Sequence, residues 1–335
     1  MKRKQILFTG IGKAELMELD LPEIEDDEIL TRMEYTVISG GTEYACLMGL
    51  NNTPRSFPMS LGYCGVGNVV QTGKSVKNIK CGDRVLVYHG VHSDYNIRKE
   101  DEITKVENDD VSSLEAAFVI IASMGLGGVR KLELELGESA MVMGQGLLGI
   151  FATQFLRLSG ANPVIAVDLN EERRKLALSL GADYAFDPSD KDFVSKVKEV
   201  TKGKGVNGCV EVTGISAAMN QALECASWQG RISLLGCTRT SDCAVDYYTQ
   251  VHKPGIKLIG AHNFVRPKFE SYPHHWTHHD DCRAILDMIS SKRLSVMPII
   301  SRICKPEDAT EVYKELAANN SIFPIGTVFD WSNIQ

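Results

Sequence analysis

The chain has 335 residues, of which 44% are hydrophobic and 24% charged, so it is long enough to form two globular domains. Its 43 acidic and 36 basic residues give a net charge of −7, and no basic block or basic–aromatic stripe is present, which argues against nucleic acid as a partner. No apolar run reaches the roughly 18 residues of a membrane span, and the apolar run near Met1 is too short for a signal peptide, so we expect a soluble cytoplasmic protein without a membrane partner. The nine cysteines are scattered without a C-x-x-C pair and are expected to be reduced thiols.

The first third of the chain is predicted to be rich in β-strands. Short runs of β-branched or alternating residues are separated by Gly, Pro, Asn and Asp turn signals. These runs lie at residues 5–8, 28–38, 66–70, 82–88 and 94–97. From about Ser112 the pattern changes, and residues 114–121 are predicted to be helical.

A glycine-rich turn between an apolar run and a helical run is the most informative motif. Residues 139–158 predict a strand, a tight turn and a helix, with Gly144, Gly146 and Gly149 in the turn. Glycines at this G-x-G-x-x-G spacing allow a sharp turn and the close approach of a pyrophosphate. The helix opens at Leu147 and Leu148 and aims its N–H groups at the phosphates. The turn therefore predicts a dinucleotide site, and the alternative is a glycine-rich turn of some other α/β protein.

The next strand-like run, residues 164–168, ends in Asp168. This carboxylate follows the glycines at about the 20-residue spacing of an acidic group that binds the adenosine ribose hydroxyls. Because a carboxylate there would repel a 2′-phosphate, NAD is predicted as the cofactor rather than NADP. Arg173 and Arg174 follow downstream, where they could offset that charge or could form the solvated face of a helix.

Beyond the turn, strands and helices alternate as a doubly wound parallel sheet requires. Helices are predicted at residues 171–180 and 217–226, the second capped by Ser216. Buried strands are predicted at residues 208–212, 230–236 and 255–260. In such sheets the ligand lies across the carboxyl ends of the strands. The residues predicted to line the cofactor there are Thr213, Gly214, Gly236, Cys237, Ala261 and His262.

After about residue 263 the alternation ends, and the chain is expected to fold back onto the first domain. Helices are predicted at residues 280–291 and 306–318, and strands at residues 298–300 and 326–329. The histidine-rich stretch, residues 274–279, suggests metal binding, because His275 and His279 are four residues apart. Pro273 and the expected helix cap Thr277 separate the histidines into two pairs, so packing or a place at the substrate edge is favoured.

Several of these segments, in this order, resemble the medium-chain dehydrogenase/reductase superfamily over essentially the whole chain. The segments that carry the resemblance are residues 61–67, 69–73, 82–85, 144–149, 176–183 and 211–214. The resemblance implies an α/β protein in which a GroES-like β-barrel catalytic domain comprises residues 1–118 and 264–335. It implies an inserted NAD-binding Rossmann domain, a doubly wound parallel sheet, at residues 119–263. It also implies a homodimer or homotetramer.

The residues depart from those of the zinc-using members of that superfamily. The resemblance places zinc ligands at Gly40, at Tyr63 and near Ala122, and none of these supplies the expected ligand. Residues 87–112, where a structural-zinc lobe would lie, contain no cysteine. Because a catalytic zinc needs three protein ligands, no metal is expected. Residues 38–43 and 276–277 resemble the zinc-independent branch that includes bacteriochlorophyllide and aminocyclitol-type alcohol dehydrogenases.

Without a zinc ion, side chains must act on the reacting oxygen. Thr42 matches the hydroxyl that the family uses as a proton relay beside the nicotinamide ribose. Tyr63 either faces the reacting oxygen as a hydrogen-bond donor or acid/base, or fills the vacated metal site. Glu43 either orients this network or forms a structural ion pair. His89 is a candidate general acid/base and His92 a second one, and each could instead be a surface residue of a turn.

The combined prediction is a zinc-independent, NAD(H)-dependent alcohol dehydrogenase or ketone reductase that acts on a polar secondary alcohol such as a sugar, cyclitol or polyol. Two alternatives stay open: an NADPH-dependent quinone or enoyl reductase, against which Asp168 and residues 38–43 weigh, and a catalytically silent sensor of the nicotinamide redox state. Cys46, Cys64 and His89 could in addition assemble an unorthodox metal site.

Overall fold

The computed structural model describes residues 1–240 and 242–334 and divides the chain into two compact units. The first unit contains Met1–Ile121 and the chain from Cys282 onward, and the second contains Ala122–Asp281. The points of division lie within helices α3 (Val119–Arg130) and α8 (His278–Ser290). The first predicted boundary, after residue 118, lies three residues before the observed division, and the second, after residue 263, lies 18 residues before it. The assignment of catalysis and cofactor binding to separate domains stays a prediction.

The first unit is built mainly from β-strands. Its strands are β1 (Lys2–Gly10), β2 (Lys13–Asp20), β3 (Glu28–Val37), β4 (Met59–Ser60), β5 (Gly65–Thr72), β6 (Arg84–Val87), β7 (Tyr95–Lys99), β8 (Ile103–Lys105), β15 (Arg302–Cys304) and β16 (Thr327–Asp330). Its helices are α1 (Gly40–Leu47), α2 (Ser113–Ala116) and α9 (Ala309–Ala318). One sheet has the order β2-β1-β4, and a larger one has the order β15-β16-β3-β5-β6-β8, with β7 paired to β3.

Aromatic residues from both ends of the chain fill the core of the first unit. Phe8 on β1, Tyr313 on α9 and Phe329 on β16 are buried, and the rings of Phe8 and Tyr313 meet edge to face with centroids 4.8 Å apart. Such pairs add attraction beyond the burial of apolar area. Trp331, which follows β16, is fully buried as well. The last segment of the chain therefore completes a core that the first segment begins.

The second unit is a parallel sheet with helices between successive strands. Its strands are β9 (Ala140–Met143), β10 (Val164–Val167), β11 (Tyr184–Phe186), β12 (Val206–Glu211), β13 (Ala226–Leu234) and β14 (Lys257–Gly260). The helices between them include α4 (Leu147–Leu158), α5 (Glu171–Ser179), α6 (Phe193–Val200) and α7 (Ser216–Cys225). The strand order is β11-β10-β9-β12-β13-β14. Strands β9 and β10 are buried along their whole length, which explains why both read as unbroken apolar runs.

The parallel register brings the carboxyl ends of five neighbouring strands into one row. Val167 pairs with Met143, Met143 with Glu211, Glu211 with Leu234, and Leu234 with Gly260. The loops that follow these residues therefore share one edge of the sheet, which is where parallel α/β sheets bind their ligands.

Three local predictions differ from the structure. The strand predicted at residues 298–300 is wrong, because Met297–Ile299 forms a 3₁₀ turn with Pro298 in its first turn, where a missing N–H costs no hydrogen bond. Ser216 is the first residue of α7 rather than its cap, and its hydroxyl donates to Asp242. The single helix predicted at residues 114–121 is divided between α2 and α3.

Within the described residues, no helix is both long and apolar enough to cross a membrane. None of the nine cysteines, all of which lie in the described part, forms a disulfide.

Candidate active site

The glycine-rich turn joins β9 to α4 in the second unit. Gly144 has a φ of +97°, which L side chains rarely adopt, and a Cβ on Gly149 would lie 1.8 Å from the Gly144 carbonyl oxygen. The backbone itself therefore requires these two glycines. Gly146 differs, because its φ is −70° and a Cβ there would meet nothing within 4 Å. The open space beside Gly146 is where a phosphate can approach the main chain.

Gly146 also directly precedes α4, a helix of 12 residues. It has no side chain to cap the first N–H groups of the helix, which include those of Leu147 and Leu148. These groups and the positive end of the helix dipole together favour an anion. The turn thus fits the pyrophosphate of a dinucleotide.

The carboxylate of Asp168, directly after β10, is tied to this turn. Its Oδ2 accepts a hydrogen bond from the Gln145 backbone N–H at 2.7 Å, and its Oδ1 accepts one from the Asn170 N–H at 2.7 Å. Because a carboxylate oxygen can accept more than one hydrogen bond, both can also accept from ribose hydroxyls. The backbone therefore holds the carboxylate beside the turn.

Arg174, in the first turns of α5, is held by other acceptors. Its guanidinium donates to the carbonyl oxygens of Asp168 and Leu169 and pairs with the Asp187 carboxylate at 3.0 Å. Its charge is therefore shared with Asp187 rather than directed to the Asp168 carboxylate. Arg173 is half-buried, and its backbone N–H donates to the helix cap Asn170. A cofactor contact of Arg173 stays a prediction.

Glu211, at the end of β12, shapes the loop that contains Thr213 and Gly214. Its side chain is 3% exposed and accepts hydrogen bonds from the N–H of Thr213 at 2.7 Å and from the N–H of Gly214 at 3.0 Å. The Thr213 hydroxyl donates to it as well. Burial raises the pKa of Glu211, and these hydrogen bonds oppose the rise. The sequence pattern predicts no role for this residue, although an acidic residue at the end of an apolar strand is a usable signal.

The loops after β13 and β14 complete this edge. A Cβ on Gly236 would lie 2.5 Å from the Gly214 nitrogen, and a Cβ on Gly214 would lie 2.5 Å from the Cys237 carbonyl oxygen, so the two loops are closely packed. His262 is exposed, and its Nδ1 accepts a hydrogen bond from the Phe264 N–H at 3.2 Å. The predicted cofactor residues are thus gathered at one edge of the sheet, and their contacts with a cofactor stay predictions.

The first unit contains a cluster of three hydroxyl groups. Ser39 directly precedes α1 and Thr42 lies three residues further, so the two share one face of the helix. The Tyr63 phenol donates a hydrogen bond to the Ser39 hydroxyl, and the Thr42 hydroxyl is close enough to lower the pKa of that phenol. The structure therefore brings the predicted residues Thr42 and Tyr63 together and adds Ser39, for which sequence reasoning had assigned no role.

The environment of Tyr63 keeps its phenol protonated. Burial raises the pKa of Tyr63 far above its ordinary value of 10.0, and the neighbouring Cys64 thiol adds to the rise. The hydrogen bonds with Ser39 and Thr42 oppose it, while the Glu43 charge contributes further in the same direction as burial. A phenol in this environment serves as a hydrogen-bond donor and a weak acid rather than as a base.

A buried carboxylate lies behind the three hydroxyls. Glu43 is 0% exposed, and its Oε1 accepts a hydrogen bond from the Ser39 backbone N–H at 2.8 Å. Its Oε2 accepts from the Tyr313 hydroxyl at 2.6 Å and lies 3.1 Å from His92 Nε2. The Glu43 carboxylate thus contacts His92 and holds the backbone of Ser39, and its role in the site stays a prediction.

His92 is connected in turn to β3 and to the end of the chain. Its Nδ1 lies 2.7 Å from the Thr36 hydroxyl, to which Trp331 Nε1 donates a hydrogen bond at 2.8 Å. The turn before Tyr63 packs directly on His92, since the His92 N–H donates to the Leu61 carbonyl at 2.8 Å. A Cβ on Gly62 would lie 2.7 Å from the same nitrogen.

His89 is placed differently from His92. It follows β6 with a φ of +54°, and its ring stacks on Tyr88 with centroids 3.7 Å apart. Its carbonyl oxygen accepts a hydrogen bond from Arg98 Nε at 2.7 Å. Among the described residues its imidazole has no hydrogen bond to the hydroxyl cluster, and a catalytic role for His89 stays a prediction without a contact to support it.

No group of three or more His, Cys, Asp or Glu side chains in the described part of the chain is arranged to hold a metal ion. Gly40, Tyr63 and Ala122 stand where the resemblance places zinc ligands. Cys64 is buried, and burial raises the pKa of its thiol well above 9.0. The positions that the resemblance assigns to zinc ligands therefore do not supply the conventional ligand set, and the absence of a catalytic zinc stays a prediction.

The histidine-rich stretch is engaged in local contacts. His275 Nδ1 accepts a hydrogen bond from Lys131 Nζ at 3.0 Å. Thr277 caps α8, as predicted, by accepting from the Asp280 N–H at 3.2 Å. The Trp276 ring lies under the Arg130 guanidinium, 4.0 Å from the ring centroid. These contacts support packing as the role of the stretch.

Two family models match the chain. The alcohol dehydrogenase GroES-like domain matches residues 25–131, and the zinc-binding dehydrogenase model matches residues 148–272. An L-threonine 3-dehydrogenase of Pyrococcus horikoshii is 29% identical over 92% of this chain and 92% of its own. A sorbitol dehydrogenase of Bacillus subtilis is 26% identical over 70% of this chain and 74% of its own. A solved structure described as a zinc-binding dehydrogenase from Sinorhizobium meliloti, bound to NADP, has a TM-score of 0.84 at 20% identity and covers 98% of this chain and 99% of its own.

A GroES-like domain followed by a parallel nucleotide-binding sheet defines a two-part dehydrogenase. The chain belongs to the medium-chain dehydrogenase/reductase superfamily, and the predicted α/β fold class with these two domains is confirmed. The chain is accordingly an oxidoreductase, and a nicotinamide cofactor is supported.

Proposed function

We propose that this protein is an NAD(H)-dependent, zinc-independent alcohol dehydrogenase that interconverts a polar secondary alcohol, of the sugar, cyclitol or polyol type, with its ketone. The observation that carries the proposal is the hydroxyl cluster of Tyr63, Ser39 and Thr42, which stands where a zinc site is expected. The threonine and sorbitol dehydrogenases among the relatives support an alcohol substrate, because both names denote hydroxylated molecules.

The choice of NAD rests on the Asp168 carboxylate. Its contacts with Gln145 and Asn170 place a negative charge beside the glycine-rich turn, and the charge of Arg174 is shared with Asp187. A 2′-phosphate would meet that charge at close range, whereas ribose hydroxyls would donate to it. A structural relative that binds NADP keeps an NADPH-dependent reductase as the second candidate.

When bound, the nicotinamide supplies the hydride acceptor for alcohol oxidation and the hydride donor for ketone reduction. In oxidation, the alcohol carbon would lose a hydride to the nicotinamide, and the hydroxyl proton would pass through the Thr42 hydroxyl, the proposed relay, to water, which leaves the ketone. Reduction would reverse both transfers. Tyr63, as a protonated phenol, donates a hydrogen bond to the substrate oxygen and stabilises the negative charge that develops there. Thr42 and Ser39 hold the phenol.

We expect a homodimer or homotetramer, which light scattering on the purified protein checks.

The proposal is tested by a substrate panel. Purified protein is mixed with NAD and separately with NADP, and polyols, sugars, cyclitols and small secondary alcohols are screened by the near-ultraviolet absorbance of the reduced nicotinamide. Turnover of polar secondary alcohols with NAD supports the proposal, and Tyr63→Phe should lower that turnover. Turnover of enones or quinones alone, with NADPH, would establish the second candidate. Binding of NADH with no turnover of any substrate would indicate a sensor.

Zinc independence has its own measurement. Elemental analysis of protein purified without chelators should find zinc far below one equivalent per chain, and a chelator should leave turnover unchanged. Stoichiometric zinc accompanied by loss of activity on chelation would overturn this part of the proposal while leaving the alcohol substrate in place.

A further inference from the structure

Ser39 occupies a helix-capping position but does not use its side chain to cap the helix. Serine at this position ordinarily accepts a hydrogen bond from the second or third N–H of the helix. Within the described residues the Ser39 hydroxyl makes no such bond to α1, and it is instead hydrogen-bonded to the Tyr63 phenol. The side chain is only 6% exposed, so this hydroxyl is held inside the unit.

Glu43 fixes the backbone of Ser39 and leaves its hydroxyl for Tyr63. The Ser39 N–H donates to Glu43 Oε1 at 2.8 Å. Tyr313 donates to Oε2 at 2.6 Å, and His92 Nε2 lies 3.1 Å from it. The Glu43 carboxylate thus binds the Ser39 N–H and not the Ser39 hydroxyl. The hydroxyl is therefore left to form its hydrogen bond with the Tyr63 phenol.

The network behind Glu43 continues through His92 and Thr36 to Trp331. Trp331 Nε1 can only donate, so Thr36 Oγ1 accepts from it at 2.8 Å. His92 Nδ1 lies 2.7 Å from the Thr36 hydroxyl, and His92 Nε2 faces Glu43, so the imidazole links the hydroxyl to the carboxylate. Each buried polar group between Trp331 and Glu43 therefore has a hydrogen-bonding neighbour. The Glu43 carboxylate still accepts the hydrogen bond from the Ser39 N–H.

Tyr63 lies between two hydroxyls that can each reverse their role. A serine or threonine hydroxyl rotates to donate or to accept. When the Tyr63 proton is directed to a substrate oxygen, Ser39 can donate to the phenol oxygen in its place. Donors to a phenol oxygen make that phenol a stronger donor itself, because hydrogen bonds in a chain polarise one another.

We infer that Ser39 is a positioning residue for Tyr63, held in place by the buried Glu43, and that it tunes the phenol for the substrate oxygen without touching the substrate. This inference rests on the proposed function. It assigns to Ser39 a role in the rate of turnover rather than in the binding of either substrate or cofactor.

The test is a mutant cycle between Ser39 and Tyr63. The variants Ser39→Ala, Tyr63→Phe and the double substitution are compared with the wild-type protein in NADH-dependent ketone reduction. Ser39→Ala should lower kcat about tenfold, the value of one hydrogen bond of ordinary strength, with KM and the NADH dissociation constant unchanged. Because Ser39 acts through the phenol, the double variant should match Tyr63→Phe alone. Effects that multiply in the double variant would overturn the inference.

A rescue and a matched control separate positioning from folding. Ser39→Thr keeps the hydroxyl and should recover most of the lost kcat. Ser75→Ala removes an exposed serine hydroxyl from the same unit and should match the wild-type protein. Equal loss in Ser39→Ala and Ser39→Thr would show that the hydroxyl is not responsible. If the wild-type protein reduces no ketone, the proposed function and this inference fall together; if it does and the cycle is multiplicative, only this inference falls.

Discussion

The glycine-rich turn offers a pair of substitutions that separates cofactor binding from folding. A methyl group at position 146 would enter open space at a φ of −70°, which alanine adopts freely. We therefore expect Gly146→Ala to change the free energy of unfolding by no more than about 0.5 kcal/mol. The same methyl occupies the space through which a pyrophosphate would approach, and crowding of this kind costs about 1–3 kcal/mol. The NADH dissociation constant should then rise about 5- to 150-fold.

Gly149→Ala is the matched control for that substitution. Its methyl would lie 1.8 Å from the Gly144 carbonyl oxygen, so the backbone must move, and the free energy of unfolding should fall by about 1–3 kcal/mol or more. Fluorescence titration with NADH and thermal unfolding of the ligand-free protein measure the two quantities on the same samples. Wild-type NADH affinity in a stably folded Gly146→Ala protein would refute the assignment of the pyrophosphate to this turn.

Three further outcomes are expected. Tyr313→Phe removes one of the donors to the buried Glu43 carboxylate and should lower the free energy of unfolding by about 1.5–3 kcal/mol, measured by urea unfolding at fixed protein concentration. Burial raises the pKa of Tyr313 above 10.0, so the contribution of this tyrosine to stability is complete below pH 10 and decreases above it. Above pH 10 the free energy of unfolding of the Tyr313→Phe variant should therefore fall less steeply than that of the wild-type protein, by about 1.4 kcal/mol per pH unit. An identical slope in the two proteins would contradict the assignment. Asp168→Asn removes the charge beside the glycine-rich turn and should weaken NADH binding while improving NADPH binding, with unchanged relative affinities counting against the choice of NAD. Gly62→Ala places a methyl 2.7 Å from the His92 nitrogen and should lower both stability and kcat, and wild-type values of both would show that the turn adapts.

The nucleotide-binding unit could be predicted in detail because its signals are local. The spacing of Gly144, Gly146 and Gly149, and the acidic end of the next strand, lie within a few tens of residues. Glu211, the last residue of β12, could not be predicted because its role depends on hydrogen bonds from the turn that follows, which an apolar pattern does not encode. The segment of residues 298–300 is too short for the spacing of its apolar residues to distinguish a strand from a turn.

The hydroxyl cluster could be predicted only in part. Thr42 and Tyr63 were found through their positions in family motifs, and their proximity is evident in the structure. The residues that complete the network could not be found in this way, because Tyr313 lies 270 residues from Glu43 along the chain. His89 and His92 stand three residues apart on one turn, and the backbone, not the residue type, decides which imidazole enters the interior.

The order of protein synthesis has a consequence for this network. The strand and helix that carry Thr36 and Glu43 leave the ribosome early, whereas Tyr313 and Trp331 leave it after the whole of the second unit. The Glu43 carboxylate must remain solvated until those residues arrive, because burying it without its donors costs several kcal/mol. The second unit, whose sheet is continuous in sequence, can complete its fold first. The buried surroundings of Glu43 are therefore completed last, after residue 313 has been made.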